Sequence, residues 1–224
     1  MVVVRMIAGV DEAGRGPVIG PLVVAAVLVD EEQEEKLRSL GVRDSKKVSP
    51  NRREELANMI KRVVTSYSVV VVEPAEIDQA VRRKNLNRLE AEKFAEAINN
   101  LSSMPDRVIV DSADNNPERF RDEIKKYVSP GIDVVAEHRA DQNHVVVGAA
   151  SILAKVVRDR EINRLREKYP GLGSGYPSDP ETQTFVEEWM KTHRDYPPFI
   201  RQSWKTIKKH SRGKQTDLTH FGSD

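Results

Sequence analysis

The 224-residue sequence contains no cysteine. Disulfide bonds, zinc–thiolate sites and thiol nucleophiles are therefore excluded, and the composition suits a reducing compartment. The apolar runs, such as residues 21–29 and 68–72, are far shorter than the roughly 20 residues that a membrane helix needs. The N-terminal residues also lack the pattern of basic residues, apolar core and small-residue cleavage site that marks a secretory signal. We therefore expect a cytoplasmic protein that is not inserted in a membrane.

Aromatic residues and net charge are scarce as well. Aromatics make up 5% of the chain, and the formal net charge is +1. A net charge this small does not by itself indicate a nucleic-acid partner, because only the distribution of basic residues can do so. Apolar residues make up 38% and recur periodically, which excludes global disorder and predicts a folded core. We expect a monomer with one α/β domain, or such a domain with a helical appendage.

Apolar runs and helical periodicities alternate along the chain and predict strands and helices in turn. The predicted strands lie at residues 6–10, 21–29, 67–72, 107–110 and 132–137. One predicted helix begins after Ser49-Pro50. The others lie at about residues 86–101, 117–127, 144–168 and 181–193. This pattern divides the chain into a strand-rich α/β region at residues 1–168, a smaller helical region at 169–210 and a polar tail at 211–224.

Four acidic residues follow or end predicted strands, namely Asp11, Glu12, Asp111 and Asp141. In an α/β sheet the carboxyl ends of strands converge on one crevice, where such folds place their chemistry. Oxygen donors without histidine or cysteine companions suit Mg²⁺ or Mn²⁺ rather than zinc. Two such ions can activate a water molecule and stabilise the leaving oxygen of a phosphodiester.

The four acids do not by themselves establish a metal site. A single acid at a strand end is more often a solubilising or capping residue than a metal ligand. Asp111 is ambiguous because Asp114 lies three residues on. Asp11 and Glu12 are neighbours, and neighbours on a regular strand point to opposite faces. Both can serve one site only if the strand ends there, which Gly14 would permit.

A glycine-flanked basic turn, Gly14-Arg15-Gly16, follows the first two acids. Glycine lets backbone approach a ligand closely, and an arginine fork can bind phosphate. The turn has neither the GxGxxG spacing of dinucleotide sites nor the Walker pattern, and a strand rather than a helix follows it. Further binding candidates are Lys46, Lys155, Arg158 and Tyr176, each of which a solvated or packed surface would also explain.

Taken in order, these pieces resemble the type II ribonucleases H, in their archaeal-like form. The matching stretches are IAGVDEAGRGPVIGPLVVAAV, RDSKKVSP, VIVDSAD, AEHRADQNHVVVGAASILAKVVRDR and GSGYPSDP, which together extend to about Lys209. The resemblance implies an α/β fold of the ribonuclease H type, with a mixed central β-sheet flanked by helices and a helical C-terminal extension. It makes residues 1–168 the catalytic domain and 169–210 a substrate-binding region.

The activity that the resemblance implies is endonucleolytic. It is hydrolysis of the RNA strand of RNA–DNA hybrids and cleavage 5′ to ribonucleotides embedded in duplex DNA, leaving 3′-hydroxyl and 5′-phosphate ends. The implied catalytic and metal-binding residues, for two Mg²⁺ or Mn²⁺ ions, are Asp11, Glu12, Asp111 and Asp141. The implied substrate contacts are Gly14, Arg15 and Gly16 at the 2′-hydroxyl, Tyr176 against the following deoxyribose, and Lys46, Lys155 and Arg158 at phosphates.

The tail and one histidine add two further hypotheses. QTDLTHFG resembles a sliding-clamp-binding motif through Gln215, Leu218 and Phe221, although Gly222 stands where a second aromatic is expected. A terminus with incidental spacing is the alternative. His144 invites comparison with a proton shuttle, but a surface or packed histidine explains it more simply.

Two other classes of function stay in competition with this one. A different nuclease of the ribonuclease H type, such as a Holliday-junction resolvase or an integrase core, would need the acids without the turn that reads the 2′-hydroxyl. A non-catalytic hybrid-binding protein would tolerate the loss of a carboxylate. The presence of all four acids with DSKK and GSGYPSDP favours the enzyme that cuts hybrids.

Overall fold

A five-stranded mixed sheet lies at the centre of the computed structural model, which describes residues 5–42, 49–205 and 207. Its strands are β1 (Ile7–Ala13), β2 (Leu22–Val29), β3 (Ser66–Val72), β4 (Arg107–Asp111) and β5 (Asp133–Glu137). The spatial order is β3-β2-β1-β4-β5. β2 runs antiparallel to both β1 and β3, whereas β4 runs parallel to β1 and β5 parallel to β4. The mixed sheet that the sequence predicts is confirmed.

Helices cover this sheet. They are α1 (Glu31–Ser39), α2 (Pro50–Val63), α3 (Pro74–Arg82), α4 (Leu86–Asn99), α5 (Pro117–Lys125), α6 (Ala140–Asn143), α7 (Val145–Lys168) and α8 (Pro180–Thr192). The predicted helices correspond to α2, α4, α5, α7 and α8, whereas the sequence pattern does not predict α1, α3 or α6. α1 buries only Leu37 and so shows little apolar periodicity. Its start is instead marked by a capping box between Asp30 and Gln33.

The core lies on both faces of the sheet. All eight residues of β2 are buried, as expected for a strand covered on both sides. One face packs against α4 and α5 through Phe94 and Phe120, whose rings meet edge to face. The other packs against α2 and α7. A side chain at Gly9 would come within 2.4 Å of the Val146 backbone, so glycine lets α7 lie directly against β1.

The C-terminal region packs against the N-terminal loop between β1 and β2. Ile19 forms an isolated β-bridge with Ile200, and the Arg201 amide donates to the Val18 carbonyl at 2.8 Å. The segment after α8 is also fastened to α3, because Asp78 accepts bonds from the Ser203 amide and hydroxyl. The helical C-terminal extension is therefore present and contacts residues near the start of the chain.

The described part of the chain contains no helix that is both long and apolar enough to cross a membrane.

Candidate active site

The candidate site lies where β1 and β4 separate. These parallel strands are paired from Ile7 with Arg107 to Val10 with Val110. Asp11 and Asp111 are the next residue on each strand, so their carboxylates lie at the same edge of the sheet. The Ala140 amide donates to Oδ1 of Asp111 at 2.7 Å. This bond ties the end of β4 to the start of α6, the short helix that carries Asp141.

Asp11 and Glu12 both belong to β1, which continues to Ala13 instead of ending at residue 10 as predicted. Beyond Val10 the strand keeps its partner β2 but loses β4. Asp11 is 5% exposed, and its carboxylate lies beside Ser151 of α7. The Glu12 amide donates to Oδ1 of Asp11 at 2.7 Å. The strand therefore does not end at these residues, as a shared site was expected to require. Asp11 lies beside Ser151 of α7 and Glu12 beside Glu90 of α4, yet Asp111 and Lys155 affect the pKa of both acids.

Negative charge is crowded at this edge. Burial raises the pKa of Asp11 well above its usual value, and the carboxylates of Glu12 and Asp111 raise it further. Ser151 and Lys155 act in the opposite direction. Like charges in a poorly solvated place disfavour ionisation, so the edge carries more carboxylate than its own cations neutralise.

Glu12 is affected in the same way. Burial and the neighbouring Glu90 raise its pKa to about 7, with Asp111 adding to the rise and Arg15 opposing it. A divalent cation at this edge would relieve the repulsion that these shifts express.

The donor set fits a hard divalent ion. Asp11, Glu12, Asp111 and Asp141 offer only carboxylate oxygens, the ligands that Mg²⁺ and Mn²⁺ prefer. Within residues 5–42, 49–205 and 207, no group of three or more acidic or histidine side chains already stands at metal-binding spacing.

Asp114 belongs to a different set of contacts from Asp111. Its carboxylate accepts from Arg119 at 2.7 Å and from the Asn87 side chain at 2.7 Å. It also caps the backbone of Asn116 at 2.9 Å. Asp111, by contrast, lies close enough to Asp11 and Glu12 to raise the pKa of both. Asp111 rather than Asp114 therefore lies with the acids of β1.

The glycine turn is held from behind by the C-terminal region. The guanidinium of Arg201, which is fully buried, donates to the carbonyls of Gly14 at 2.6 Å and Arg15 at 3.0 Å. The Trp204 indole donates to the Gly16 carbonyl at 3.1 Å. Gly14 has φ +94°, and a side chain there would lie 2.5 Å from the Pro21 carbonyl oxygen. Gly16 itself is exposed, so the turn presents bare backbone to solvent.

The Arg15 side chain faces the protein. Its Nε donates to Glu90 Oε1 at 2.7 Å, and Nη2 donates to Asn87 Oδ1 at 2.8 Å. Both acceptors belong to α4. This edge of the guanidinium is therefore engaged within the protein, while the side chain as a whole stays 37% exposed. A substrate contact by Arg15 stays a prediction.

Tyr176 lies beside the turn. It is 41% exposed, and its ring lies 3.9 Å from the point that a side chain at Gly16 would occupy. Its loop is tied to the same region, because the Gly175 carbonyl accepts from the Val18 amide at 2.8 Å. An exposed aromatic face and an exposed glycine backbone thus form one surface, next to the carboxylates on β1.

Comparison with known proteins decides the class. A model of the family described as Ribonuclease HII matches residues 8–207. The chain belongs to the ribonuclease HII family. It is 51% identical to the ribonuclease HII of Thermococcus onnurineus over 203 residues, which cover 91% of this chain and 88% of that protein. The predicted resemblance is confirmed, and the protein is an endoribonuclease of the ribonuclease H class.

Solved structures agree with the fold. The crystal structure of the ribonuclease H2 from Pyrococcus horikoshii OT3 matches with a TM-score of 0.89 at 48% identity, covering 94% of this chain and 99% of that one. The ribonuclease HII in a PCNA complex from Archaeoglobus fulgidus matches with a TM-score of 0.82 at 46% identity, covering 91% and 96%. The ribonuclease H-type fold is thus confirmed, and enzymes of this family depend on divalent metal.

The basic residues that are predicted to contact phosphates in this ribonuclease HII have different surroundings. Arg158 is only 8% exposed, and it donates to the Ser174 carbonyl at 2.7 Å while its guanidinium lies 5.0 Å from the Tyr176 ring. It therefore supports the tyrosine loop from beneath. Lys155 donates to Ser151 at 2.6 Å, close to Asp11. Lys46 and the tail residues Gln215, Leu218 and Phe221 lie outside the described residues.

Several residues that shape this ribonuclease HII site are not predicted from the sequence. They are Asn87, Glu90, Ser151, Arg201 and Trp204. Ser151 stands within the ASILAK motif, but the others carry no local signal because their partners lie far away in sequence. His144 also has a partner, because its Nε2 lies 3.0 Å from Oε2 of Glu137, seven residues earlier in the chain.

Proposed function

We propose that this ribonuclease HII hydrolyses the RNA strand of RNA–DNA hybrids and cuts 5′ to ribonucleotides embedded in duplex DNA. The products would be 3′-hydroxyl and 5′-phosphate ends. One observation carries the proposal: the carboxylates of β1 are followed directly by an exposed glycine turn that lies beside Tyr176. The proposed catalytic carboxylates and the proposed sugar-binding surface are therefore adjacent.

The carboxylates would hold the metal. Asp11, Glu12, Asp111 and Asp141 would bind two Mg²⁺ or Mn²⁺ ions, which supply activation of water and stabilisation of the leaving oxygen. Ser151 hydrogen-bonds Asp11, and Lys155 lies near it. These two residues favour the ionised form of Asp11, which is the form that binds a cation.

Selection for RNA would come from the turn. Proteins distinguish RNA from DNA by the 2′-hydroxyl, and a close backbone contact is a suitable way to read it. We propose that Gly14, Arg15 and Gly16 make this contact. Gly16 offers exposed backbone, and Arg201 binds the carbonyls of Gly14 and Arg15. Tyr176 would pack against the sugar of the following deoxynucleotide.

Binding would be independent of sequence. Phosphate contacts position a duplex without reading its bases and make affinity sensitive to salt. We propose Lys46 and Lys155 for such contacts. Arg158 would help through the loop that it supports, and a direct phosphate contact by it stays a prediction. The division into a catalytic domain at 1–168, a substrate-binding region at 169–210 and a tail at 211–224 also stays a proposal.

A DNA sliding clamp is the proposed protein partner. The Archaeoglobus fulgidus relative has been solved in complex with PCNA, and Gln215, Leu218 and Phe221 resemble a clamp-binding motif. Deleting residues 215–224 should leave nuclease activity intact and weaken association with the clamp in a pull-down or calorimetric titration. Unchanged clamp binding would refute the role of the tail. We further propose a monomer in the cytoplasm, the latter because the chain lacks cysteine.

The experiment for the main proposal compares three duplexes of one sequence. They are a duplex with a single ribonucleotide, an all-DNA duplex and an RNA–DNA hybrid, each incubated with Mg²⁺, with Mn²⁺ or with a chelator. We expect cleavage 5′ to the lone ribonucleotide and within the RNA of the hybrid, only when metal is present. Cleavage of the all-DNA duplex at a comparable rate would contradict the proposal.

A further inference from the structure

The guanidinium of Arg15 is held by two acceptors on one turn of α4. Glu90 and Asn87 lie three residues apart, so both side chains reach the same side of the helix. Glu90 Oε1 accepts from Arg15 Nε at 2.7 Å, and Asn87 Oδ1 accepts from Nη2 at 2.8 Å. Together the two acceptors bind one edge of the planar guanidinium.

Glu90 is placed where a carboxylate is costly. Its side chain is fully buried, and among the described residues no donor reaches its second oxygen, Oε2. A buried ion pair is often no more stabilising than apolar residues of similar volume. Net stabilisation is therefore a weak explanation for a carboxylate at this position, whereas the geometry shows what it provides, which is a directed acceptor for Arg15.

A further residue orients one of the two acceptors that hold Arg15. Asn87 donates its amide nitrogen to Asp114 Oδ2 at 2.7 Å, which orients the Asn87 oxygen toward Arg15. Asp114 is in turn paired with Arg119 of α5. The side chain of the turn is thus fastened to α4 and, through Asp114, to the segment that follows β4.

We propose that Glu90 is a positioning residue for ribose recognition: by holding Arg15, it fixes the exposed backbone of the adjacent Gly16. The inference rests on the proposed function, because it assumes that this turn reads the 2′-hydroxyl. Arg201 and Trp204 hold the carbonyls of the turn. Glu90 adds the side-chain attachment, so the turn is held on two sides before substrate binds, which lowers the cost of ordering it.

The test uses the full-length protein with Mg²⁺. Glu90→Ala removes the acceptor, and Glu90→Gln keeps an oxygen for Arg15 while removing the charge. Glu92→Ala is the matched control, because Glu92 lies on the same helix and pairs with Arg88 near the surface. kcat and KM are measured on the duplex with one ribonucleotide, and Kd is measured on the all-DNA duplex. Each change is repeated in an Arg15→Ala background.

We expect Glu90→Ala to lower kcat/KM for the ribonucleotide duplex by about tenfold or more, because a misplacement of about 1 Å in a positioning group can cost about 100-fold. The Kd for all-DNA duplex should not change, Glu90→Gln should recover most of the loss, and Glu92→Ala should match the wild type. In the Arg15→Ala background, Glu90→Ala should have no further effect, because contacting residues that act together are not additive. If Glu90→Ala does not fold, Asn87→Ala supplies the same comparison.

Three results would overturn the inference alone. They are wild-type kinetics for Glu90→Ala, an affinity for the all-DNA duplex that falls as much as kcat/KM for the ribonucleotide duplex, and a loss of kcat/KM that persists undiminished in the Arg15→Ala background. The proposed function fails on a separate result, which is a wild-type enzyme that cuts the ribonucleotide duplex no better than the all-DNA duplex. The inference would then fall with it.

Discussion

Gly14 and Gly16 lie in the same turn, but within the part of the chain that the structure describes only Gly14 has surroundings that require glycine. Gly14 has φ +94°, and a side chain there would lie 2.5 Å from a carbonyl oxygen of Pro21. Among the described residues, a side chain at Gly16 would meet only Tyr176, at an ordinary contact distance of 3.9 Å. The proposed function supplies a separate reason for glycine at residue 16, which is the close approach of a ligand to the backbone.

Paired alanine substitutions separate the two requirements. Gly14→Ala should lower the free energy of unfolding by about 1–3 kcal/mol, the cost of a non-glycine residue in a rarely populated backbone conformation. Gly16→Ala should leave thermal stability unchanged but weaken binding of the ribonucleotide duplex. Thermal unfolding and binding titrations check both. Normal binding by a stable Gly16→Ala variant would contradict the idea that backbone at this position meets the substrate.

Residue types at the site are predictable from the sequence, whereas their partners are not. Asp11 and Asp111 stand out because apolar strands precede them, which is a local signal. The contacts that define Arg15 come from Glu90 and Arg201, 75 and 186 positions away. No local pattern encodes such distances, so the inward direction of Arg15 cannot be predicted from the sequence.

At the scale of elements, the loop before α8 depends on the cap of that helix. Asp179 is the N-cap residue, and it accepts from the Ser174 amide at 2.5 Å and from the Glu181 amide at 3.0 Å. These bonds lower the pKa of Asp179 to about 2, and the hydrogen bonds from Ser174 have the largest effect. One carboxylate thus starts α8 and shapes the loop that carries Tyr176.

Asp179→Ala tests this arrangement through pH. Because the folded pKa is lowered, the stabilisation is present above the unfolded pKa of 3.8 and is lost as the pH falls toward about 2. The variant should be less stable than the wild type by about 1 kcal/mol at pH 6, as for loss of a helix N-cap. The gap should narrow as the pH falls from about 4 to 2.

Denaturant titrations at several pH values measure the gap. The control is Asp133→Ala, which removes an exposed partner of Arg107 and should change stability little. A gap between the wild type and Asp179→Ala that stays constant down to pH 2 would show that the charge of Asp179 does not matter.

Elements are predictable where apolar periodicity is strong. α2 and α4 bury regular stripes against the sheet, and the sequence predicts both. α7 is also predicted, although it buries every residue from Val145 to Ala154. α1 escapes prediction because nearly all of its residues are polar and it buries only Leu37. The predicted end of β1 is too early because the charged pair Asp11–Glu12 resembles the start of a loop, although β2 keeps pairing with it to Ala13.

At the scale of the whole molecule, the C-terminal region completes the site rather than only extending it. Arg201 returns to the β1–β2 loop and donates to carbonyls of Gly14, Arg15 and Gly20. Burial lowers the pKa of Arg201 to about 10, with Arg158 adding to the effect, so it remains charged at neutral pH. The sequence predicts a helical extension. It does not predict the contact between Arg201 and the β1–β2 loop, because a contact between distant segments produces no periodic pattern in the sequence.

Arg201→Met should therefore affect both folding and activity. Its loss leaves buried carbonyl oxygens unpaired, each at a cost of about 1–3 kcal/mol. We expect lower stability in urea titrations, and little cleavage by the folded fraction because the turn is no longer held. Arg194→Met, which changes an exposed basic residue of the same region, is the control and should resemble the wild type. Wild-type stability in Arg201→Met would contradict the structural role.

The central claim is that the edge where β1, β4 and α6 meet is the catalytic centre. It is tested most directly with Asp11→Asn, by measuring cleavage and binding of a duplex that contains one ribonucleotide, in Mg²⁺. The account predicts cleavage at least about 100-fold slower than the wild type, because losing even a supporting partner of a metal ligand costs about 10–100-fold and Asp11 is itself a proposed ligand. Binding should be largely unchanged. Cleavage by Asp11→Asn at the wild-type rate would contradict the account.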